Sequence, residues 1–337
     1  MLSKIETQGP VPLAVIFGLS GEKLTKEEKE FFKAANPLGF ILFARNCKDP
    51  AQLQKLTADL QSCMGREVPV LIDQEGGRVQ RLKPPHWKEH KAARKFGETF
   101  QRDFTKGRQQ LQDDSAVLAA EIHAAGFNVN CAPVMDVLYP QTHEAIGDRA
   151  FSSDPEMVAA LGALVCEQHL KAGVIPVVKH IPGQGRATLD SHAALPVVDA
   201  TRDDMRMTDF VPFRELLTKA FSEAVWGMVS HIIYKDIDAQ SPASCSRKVI
   251  WDTIRGDIGF DGLLLSDDIC MGALDTIGDA GARADSALRA GCDVVLHCNG
   301  NLQEMKDVAA RAQKMTNEAV MRYNRSVAWL NRNMTNG

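Results

Sequence analysis

The segment Val174-Ile175-Pro176-Val177-Val178 is a continuous apolar run of strand length, and it follows a helical segment, Glu156–Ala172. A strand that is apolar on both faces is typical of a parallel sheet covered on its two sides. Seven more short runs of this kind alternate with helical segments along the chain: Pro12–Leu19, Gly39–Ala44, Val68–Ile72, Asn128–Val134, Val225–Ile233, Gly262–Leu265 and Val294–Leu296. The sequence therefore predicts eight strands.

Segments between these runs carry helical signals. In Asp49–Met64, apolar residues repeat at helical spacing, Asp49 suits an N-cap and Pro50 suits the first turn. The segments Asp113–Ala125 and Pro212–Phe221 are also predicted helices. Eight strand–helix units predict an α/β fold of the TIM (β/α)8 barrel class. A doubly wound dinucleotide-binding sheet is disfavoured, because no GxGxxG motif follows the first strand.

Length and composition favour one globular domain. The chain has 337 residues, and α/β barrels commonly exceed about 250 residues as a single domain. No linker-like stretch divides it, so we predict one barrel domain over residues 1–337, with terminal helices at about 301–335. The net charge of −4 gives no reason to expect a nucleic-acid or membrane partner.

The cellular compartment is predicted from what the sequence lacks. Met1–Pro12 has no apolar core of a signal peptide, and no apolar run approaches the ~20 residues of a membrane span. None of the eight cysteines forms a CxxC pair. We therefore expect free thiols and a cytoplasmic protein.

Reactive side chains follow six of the predicted strands. In a TIM barrel the active site lies at the carboxyl ends of the strands. The polar groups at these ends are Asp73-Gln74-Glu75, Asp136, Lys179-His180, Ser230-His231, Ser266-Asp267-Asp268 and His297-Cys298-Asn299. Polar groups inside a barrel mouth are costly unless they are paired or used, so the pattern predicts an active site.

The loop after the fifth strand, Lys179–His192, is the second functional signal. Gly183 and Gly185 permit unusual backbone angles and close approach to a ligand, and we expect the loop to be mobile. Asp190 and His192 lie two residues apart, which places both on one face of an extended segment. A carboxylate bound to an imidazole fixes its tautomer and raises its pKa, giving a general acid/base. The alternative is an Asp-Ser cap with a surface histidine.

Asp267 and Asp268 are expected to have different roles. Adjacent strand residues point to opposite faces, so only one of the two can face the barrel axis. The other would cap a helix beginning near Cys270. Periodicity leaves open which is which.

Three arginines near the strand ends have alternative interpretations. Arg149 either forms a surface ion pair with Asp148 or reaches over the barrel mouth. Of Arg78 and Arg81, one would pair with Glu75 and the other would face a ligand.

Other hydrolase chemistries find less support. The chain has no GxSxG, HExxH or zinc-finger motif. A metal-dependent barrel hydrolase would use His180, His231 and Asp267, although the HxH motif usual in such sites is absent. That alternative stays open at this point.

The chain resembles the β-N-acetylglucosaminidases of glycoside hydrolase family 3. The resemblance rests on Lys179-His180-Ile181-Pro182-Gly183-x-Gly185, Asp190-Ser191-His192, Ser266-Asp267-Asp268, the stretch Ile72–Leu82, and Gly147-Asp148-Arg149-Ala150-Phe151. It extends from the first strand to Asn299, and the length is similar to that of the single-domain cytoplasmic branch from Gram-negative bacteria. Ile181 and Gln184 stand where many relatives have Phe and His.

The resemblance implies a retaining exo-glycosidase. It assigns the nucleophile to Asp267, which would form a covalent glycosyl-enzyme, the acid/base to His192, and support of His192 to Asp190. Asp268 becomes a supporting residue, and the implied substrate contacts are Asp73, Arg81, Arg149, Lys179 and His180. No metal or organic cofactor is implied.

The implied substrate is a small carbohydrate. It is terminal β-linked N-acetylglucosamine on peptidoglycan fragments, N-acetylglucosaminyl-anhydro-muramic acid with or without peptide, in cell-wall recycling. We expect a monomer. The alternatives are an N-acetylglucosaminide phosphorylase, since a neutral base would tolerate phosphate in place of water, substrate-assisted cleavage through Asp267-Asp268, and a catalytically inactive sugar-binding barrel.

Overall fold

A computed structural model describes residues 2–6, 9–191 and 194–334 of the chain. Its strands are β1 (Leu13–Gly18), β2 (Pro37–Leu42), β3 (Val70–Ile72), β4 (Val129–Asn130), β5 (Ile175–Ile181), β6 (Val197–Val198), β7 (Trp226–Val229), β8 (Ile233–Tyr234), β9 (Leu264–Asp268) and β10 (Val294–His297). Eight of them close into a parallel barrel in the order β1-β10-β9-β7-β5-β4-β3-β2, while β6 and β8 pair outside it. The predicted (β/α)8 barrel is confirmed.

Helices follow the barrel strands on its outside. The α-helices are α1 (Lys26–Ala35), α2 (Pro50–Met64), α3 (Ala93–Arg102), α4 (Phe104–Ala124), α5 (Pro155–Lys171), α6 (Arg202–Met207), α7 (Val211–Leu217), α8 (Ala280–Ala290), α9 (Leu302–Arg311) and α10 (Asn317–Met334). A π-helix, Lys248–Ile258, connects β7 to β9. Short 3₁₀ turns lie at Ala44–Asn46, Gly147–Arg149, Ser222–Ala224, Ala243–Cys245 and Gly272–Ile277. No helix in the described ranges is both long and apolar enough to cross a bilayer.

Local sequence explains where these elements begin and end. The predicted cap of α2 is confirmed, since Asp49 Oδ1 accepts a hydrogen bond from the Gln52 amide at 2.8 Å. The helix predicted at Asp113–Ala125 begins earlier, at Phe104, because Asp103 caps it through the Lys106 amide at 3.0 Å. The run Asn128–Val134 is longer than β4, since regular pairing stops at Asn130 and resumes only as an isolated bridge between Val134 and Lys179. All residues of β2 and β5 are buried, as continuous apolar runs predict.

The segment that connects β3 with α3 contains a buried histidine, His90, which fastens this segment to α4. The His90 side chain is fully buried, with Nδ1 at 2.9 Å from Asp114 Oδ2 and Nε2 at 3.1 Å from Glu121 Oε2. Burial alone would lower the pKa of His90, but the bonds to both carboxylates outweigh it and raise that pKa above its ordinary value of 6.5. His90 is therefore a clamp that joins two acidic side chains of α4, and both carboxylates favour its protonated form.

We expect this clamp to make the stability of the fold depend on pH. Because the folded-state pKa of His90 is raised, its stabilisation is complete below pH 6.5 and is lost as pH rises through the folded value. His90→Gln should lower the free energy of unfolding by about 1–3 kcal/mol near pH 5.5 and by less near pH 8.5. Urea unfolding of both proteins measures the difference; a difference that grew with pH would contradict the clamp.

Candidate active site

A cavity of about 280 Å³ opens at the carboxyl ends of the barrel strands. The residues predicted from the sequence that line it are Asp73, Arg81, Arg149, Lys179, His180, Asp190 and Asp267. His192, the predicted acid/base, lies outside the described residues. Side chains that lie far apart in the sequence, from Asp73 to Asp267, therefore share one cavity.

The floor of the cavity holds alternating charges. Lys179 Nζ lies 2.9 Å from Asp73 Oδ1 and 2.6 Å from Glu75 Oε1, and Arg81 Nη2 lies 3.1 Å from Asp73 Oδ2. Only 3% of the Lys179 side chain is exposed. Each buried charge thus has an opposite charge within hydrogen-bond distance, which is what burial of such groups requires.

Arg149 continues this chain of charges from the loop after β4. Its Nε and Nη2 donate to the two oxygens of Glu75, each at 2.8 Å, in a bidentate pair. The arginine that pairs with Glu75 is therefore Arg149, and the prediction that Arg78 or Arg81 would pair with it is wrong. Arg78 instead pairs with Asp148 at 2.8 Å on the exposed rim, because the 3₁₀ turn Gly147–Arg149 directs its two charged side chains differently. Of the two interpretations of Arg149, the structure supports the one that places it at the barrel mouth.

These ion pairs hold both carboxylates ionised. Burial alone would raise the pKa of Asp73, but Lys179 and Arg81 outweigh it and keep that pKa below its usual range. For Glu75, burial is likewise outweighed by Arg149 and Lys179, and its pKa is lowered to about 2. Fixed carboxylates and cations around a small cavity suit a neutral ligand with many hydroxyl groups, each of which both donates and accepts hydrogen bonds.

Lys179 and His180 both line the cavity although they are neighbours in β5. The pairing register of β5 and β7 shifts between Lys179 and Ile181, so one extra residue is accommodated as a bulge. His180 Nδ1 lies 2.7 Å from Asp136 Oδ2. Since a carboxylate only accepts, Nδ1 carries the proton, and Nε2 is left to accept from Arg149 Nη2 at 3.5 Å.

Asp267 and Asp268 also both line the cavity, which corrects the expectation that only one could face inward. Val294 of β10 pairs with Leu265 of β9, and Leu296 pairs with Asp268. A step of two residues in β10 therefore corresponds to a step of three residues in β9. This bulge breaks the strand alternation on which the expectation rested. Asp267 Oδ1 accepts a hydrogen bond from the Asp268 amide at 2.8 Å, which orients its carboxylate.

Asp268 supports a turn rather than capping a helix. Its Oδ1 accepts from the amides of Cys270 at 3.0 Å and Cys298 at 3.2 Å. The next helical turn begins only at Gly272. Asp268 therefore ties the end of β9 to the end of β10.

The first half of the loop after β5 packs closely against the barrel. Gly183 has a φ of +132°, an unusual backbone angle of the kind that we expected at this glycine. Gly185 approaches backbone rather than a ligand, because a Cβ at this position would lie 1.7 Å from the Val137 carbonyl oxygen. Arg186 Nε donates to the buried Asp209 at 2.8 Å, and its guanidinium lies 4.2 Å from the centre of the Tyr139 ring. These contacts fix the base of the loop.

The second half of the described loop contacts the other side of the cavity. Gln184 Nε2 lies 3.3 Å from Ser191 Oγ, and the Ser191 carbonyl accepts from the Ala273 amide at 3.2 Å. Asp190 lines the cavity beside Ser191. The loop thus brings Asp190 to the same cavity as Asp267, as the sequence predicts.

The alternative metal site of His180, His231 and Asp267 does not fit these contacts. Both ring nitrogens of His231 are engaged, Nδ1 with Ser244 Oγ at 2.7 Å and Nε2 with the Asp268 carbonyl at 3.0 Å. His180 Nδ1 is likewise held by Asp136. His231 therefore supports the turn after β9 and has no nitrogen directed at a shared ion.

Sequence reasoning gave no role to Asp136 and named the wrong partner for Glu75. Asp136 accepts from His180 Nδ1 and, through Oδ1, from the Gln184 amide at 2.7 Å. It therefore fixes both the histidine and the start of the loop. The available signal was its place at the end of a predicted strand, where a fully buried carboxylate requires partners.

Comparison with known proteins agrees with this arrangement. The family model described as the glycosyl hydrolase family 3 N terminal domain matches residues 5–330. A Beta-hexosaminidase from Bordetella avium is 37% identical over 288 residues, which cover 86% of this chain and 81% of that protein. A Beta-hexosaminidase from Aromatoleum aromaticum is 39% identical over 293 residues, which cover 86% and 79%.

Solved structures give the same result. NagZ from Neisseria gonorrhoeae, in complex with N-trifluoroacetyl-D-glucosamine, superposes with a TM-score of 0.84 at 28% identity, covering 96% of this chain and 94% of that one. The family model spans nearly all of the described barrel, including every charged residue of the cavity. The chain belongs to glycosyl hydrolase family 3.

Proposed function

We propose that this chain is a retaining exo-β-N-acetylglucosaminidase that removes terminal β-linked N-acetylglucosamine from peptidoglycan fragments during cell-wall recycling in the cytoplasm. Family membership and the similarity to proteins named Beta-hexosaminidase make it a glycoside hydrolase of the β-N-acetylhexosaminidase type. The observation that carries the finer proposal is the Asp267 carboxylate, which lines a cavity whose floor is a buried chain of paired charges. The preferred fragment is N-acetylglucosaminyl-anhydro-muramic acid, with or without its peptide.

In the first step of the proposed reaction, Asp267 attacks the anomeric carbon. An Asp267 oxygen forms a bond to that carbon while the bond to the leaving oxygen breaks, and His192 donates a proton to the leaving oxygen. The Asp268 amide, bound to Asp267 Oδ1, keeps the carboxylate oriented for the attack. The product of this step is a covalent glycosyl-enzyme and a released sugar or muropeptide.

In the second step, water replaces Asp267 on the anomeric carbon. His192 now accepts the proton of the attacking water, and the bond between the sugar and Asp267 breaks, which returns both groups to their starting state. Asp190, in the same loop, would orient the imidazole of His192. A histidine with a carboxylate partner here takes the place of the second carboxylate usual in retaining enzymes.

The proposed substrate contacts follow from the charges of the cavity. Asp73 would accept hydrogen bonds from sugar hydroxyls, and its lowered pKa keeps it an acceptor at neutral pH. Arg81, Arg149 and Lys179 would donate to hydroxyls and to the acetamido oxygen. His180, held by Asp136, would add a positioned ring beside Arg149.

Trapping of the intermediate tests the proposal. A slow fluorinated N-acetylglucosaminide is incubated with the protein, and mass spectrometry follows the intact chain and then its peptides. We expect one sugar adduct on the peptide that contains Asp267. Release of N-acetylglucosamine from an activated glycoside without any adduct would favour substrate-assisted cleavage, and absence of both adduct and release would overturn the glycosidase proposal.

The role of His192 is tested by the leaving group. His192→Ala should slow cleavage by about 10²–10⁴-fold for a poor leaving group, and much less for a good one such as nitrophenolate, which needs little protonation. Steady-state kinetics with aryl glycosides of graded leaving-group pKa measure the contrast. An equal decrease for all leaving groups would show that His192 is not the acid.

A further inference from the structure

A second cluster of reactive side chains lies beside the cavity. Cys270 follows β9, His297 is the last residue of β10, and Glu304 stands in the first turn of α9. One ligand atom from each of these residues lies within 4.8 Å of the others. In the described part of the chain none of the three lines the cavity of Asp267, so the cluster is separate from the proposed glycosidase site.

The chemistry of the three side chains is that of a zinc-type site. Thiolate, imidazole and carboxylate are the ligands that Zn²⁺ and Co²⁺ accept, whereas Mg²⁺ and Ca²⁺ prefer oxygen alone. Around one tetrahedral ion, ligand atoms at metal distances of about 2.0–2.3 Å stand about 3.3–3.7 Å apart. His297 Nε2 and Glu304 Oε2 are already 3.3 Å apart. The other separations, at most 4.8 Å, therefore need to close by no more than about 1.5 Å.

Neighbouring residues hold two of the three groups in place. Asn299 Nδ2 donates to Glu304 Oε2 at 2.6 Å, and Asn301 Nδ2 donates to Glu304 Oε1 at 3.0 Å. Hydrogen bonds of this kind orient ligating carboxylates in metal sites. Asp268 Oδ1 fixes the backbone of Cys270.

The His297 ring presents Nε2 to the cluster, and Nδ1 lies on the opposite side of the ring. Its side chain is fully buried, and its Nδ1 has no hydrogen-bond partner among residues 2–6, 9–191 and 194–334. Its other nitrogen faces only the Glu304 carboxylate, whose side chain is 39% exposed. The ring is thus fixed in the cluster, and an ion has a route to it past Glu304.

We propose that Cys270, His297 and Glu304 bind one divalent ion of the zinc type, with water as the fourth ligand. On binding, the Cys270 thiol gives its proton to solvent and the sulfur coordinates the ion as a thiolate. The ion would join the ends of β9 and β10 to α9. Its ligand Cys270 lies three residues after Asp267 in the chain. The ion takes no part in glycoside cleavage, and the proposal does not depend on the proposed function.

Cobalt spectroscopy tests the site directly. Chelator-treated full-length protein is titrated with Co²⁺, and the absorption band of thiolate-to-cobalt charge transfer is followed. We expect the band to saturate at one equivalent and to disappear when one equivalent of Zn²⁺ is added. Cys270→Ser should abolish the band, and Glu304→Gln should weaken Co²⁺ affinity by about ten- to a hundredfold.

Two control variants separate this site from other binding. Cys63→Ser removes a thiol at the end of α2 and should leave the titration unchanged. Asp267→Ala should also leave the titration unchanged, because this substitution would affect only an ion bound in the cavity. Zn²⁺ should raise the Tm of the wild type more than that of folded Glu304→Gln. A band that persists in Cys270→Ser, or no band in the wild type, overturns the proposal.

Discussion

Replacement of Asp267 by alanine is expected to lower kcat by about 10⁴-fold or more, because the proposed covalent step then has no nucleophile. The side chain lines the cavity and is only partly buried, so its loss leaves the barrel core unchanged. Circular dichroism and thermal unfolding should therefore match the wild type. Hydrolysis of an aryl N-acetylglucosaminide measures kcat.

The control for this variant is Asp275→Ala. Asp275 is a carboxylate in the turn after β9, 71% exposed and paired with Arg283 outside the cavity, so its loss should change kcat by less than about twofold. Azide supplies a second check, because this small anion can enter the space left in Asp267→Ala. It would attack the anomeric carbon from the face of the sugar opposite to the leaving group. Formation of the α-glycosyl azide supports the assignment; activity within tenfold of the wild type would contradict it.

Lys179→Met should produce a large loss of stability. The substitution removes the cation shared by Asp73 and Glu75 but retains a long side chain. Breaking a buried ion pair from one side costs about 3–5 kcal/mol. Each carboxylate keeps one other partner, Arg81 or Arg149, so we expect the free energy of unfolding to fall by about 3 kcal/mol.

The pH dependence of this loss is a sharper test than its size. In the wild type the pKa of Glu75 is lowered from 4.5 to about 2, so its stabilisation is present above pH 4.5 and is lost as pH falls towards 2. Without Lys179 the carboxylate is protonated more easily, and the difference between variant and wild type should shrink below pH 4.5. Denaturant unfolding at several pH values measures this difference.

Lys55→Met is the matched control. Lys55 is 74% exposed and pairs with Asp59 one helical turn away, so its replacement should cost less than about 0.5 kcal/mol. An equal loss in the two variants would show that the buried network does not stabilise the fold. An unchanged difference at low pH would show that the carboxylates of Asp73 and Glu75 do not titrate as described.

The barrel class could be predicted because its signal is local and repeated. Continuous apolar runs such as β2 and β5 are buried over their whole length, and the helices between them carry caps that are visible in the sequence. Strand bounds were less predictable. Apolar residues continue past β4 and β7, but regular pairing ends at Asn130 and at Val229, because pairing depends on the neighbouring strands and not on the run itself.

The site was predictable by position and less so by pairing. Strand ends in a parallel barrel must meet at one face, so Asp73, Lys179 and Asp267 could be assigned to one site before any distance was known. Their partners could not. Glu75 binds Arg149 rather than Arg78, and this choice depends on how a loop 74 positions further along the chain crosses the barrel mouth.

The sequence by itself determined the parallel barrel, the face that carries the site and the strand ends that supply its residues, because burial and strand order follow from patterns of a few residues. Only the tertiary structure decided which charges pair and which side chains face inward. Bulges in β5 and β9 allow both members of two neighbouring pairs, Lys179-His180 and Asp267-Asp268, to line the cavity. Regular strand alternation would place only one member of each pair there. The physical reason is that register and ion pairing are set between distant segments, where neighbouring strands and loops meet in space.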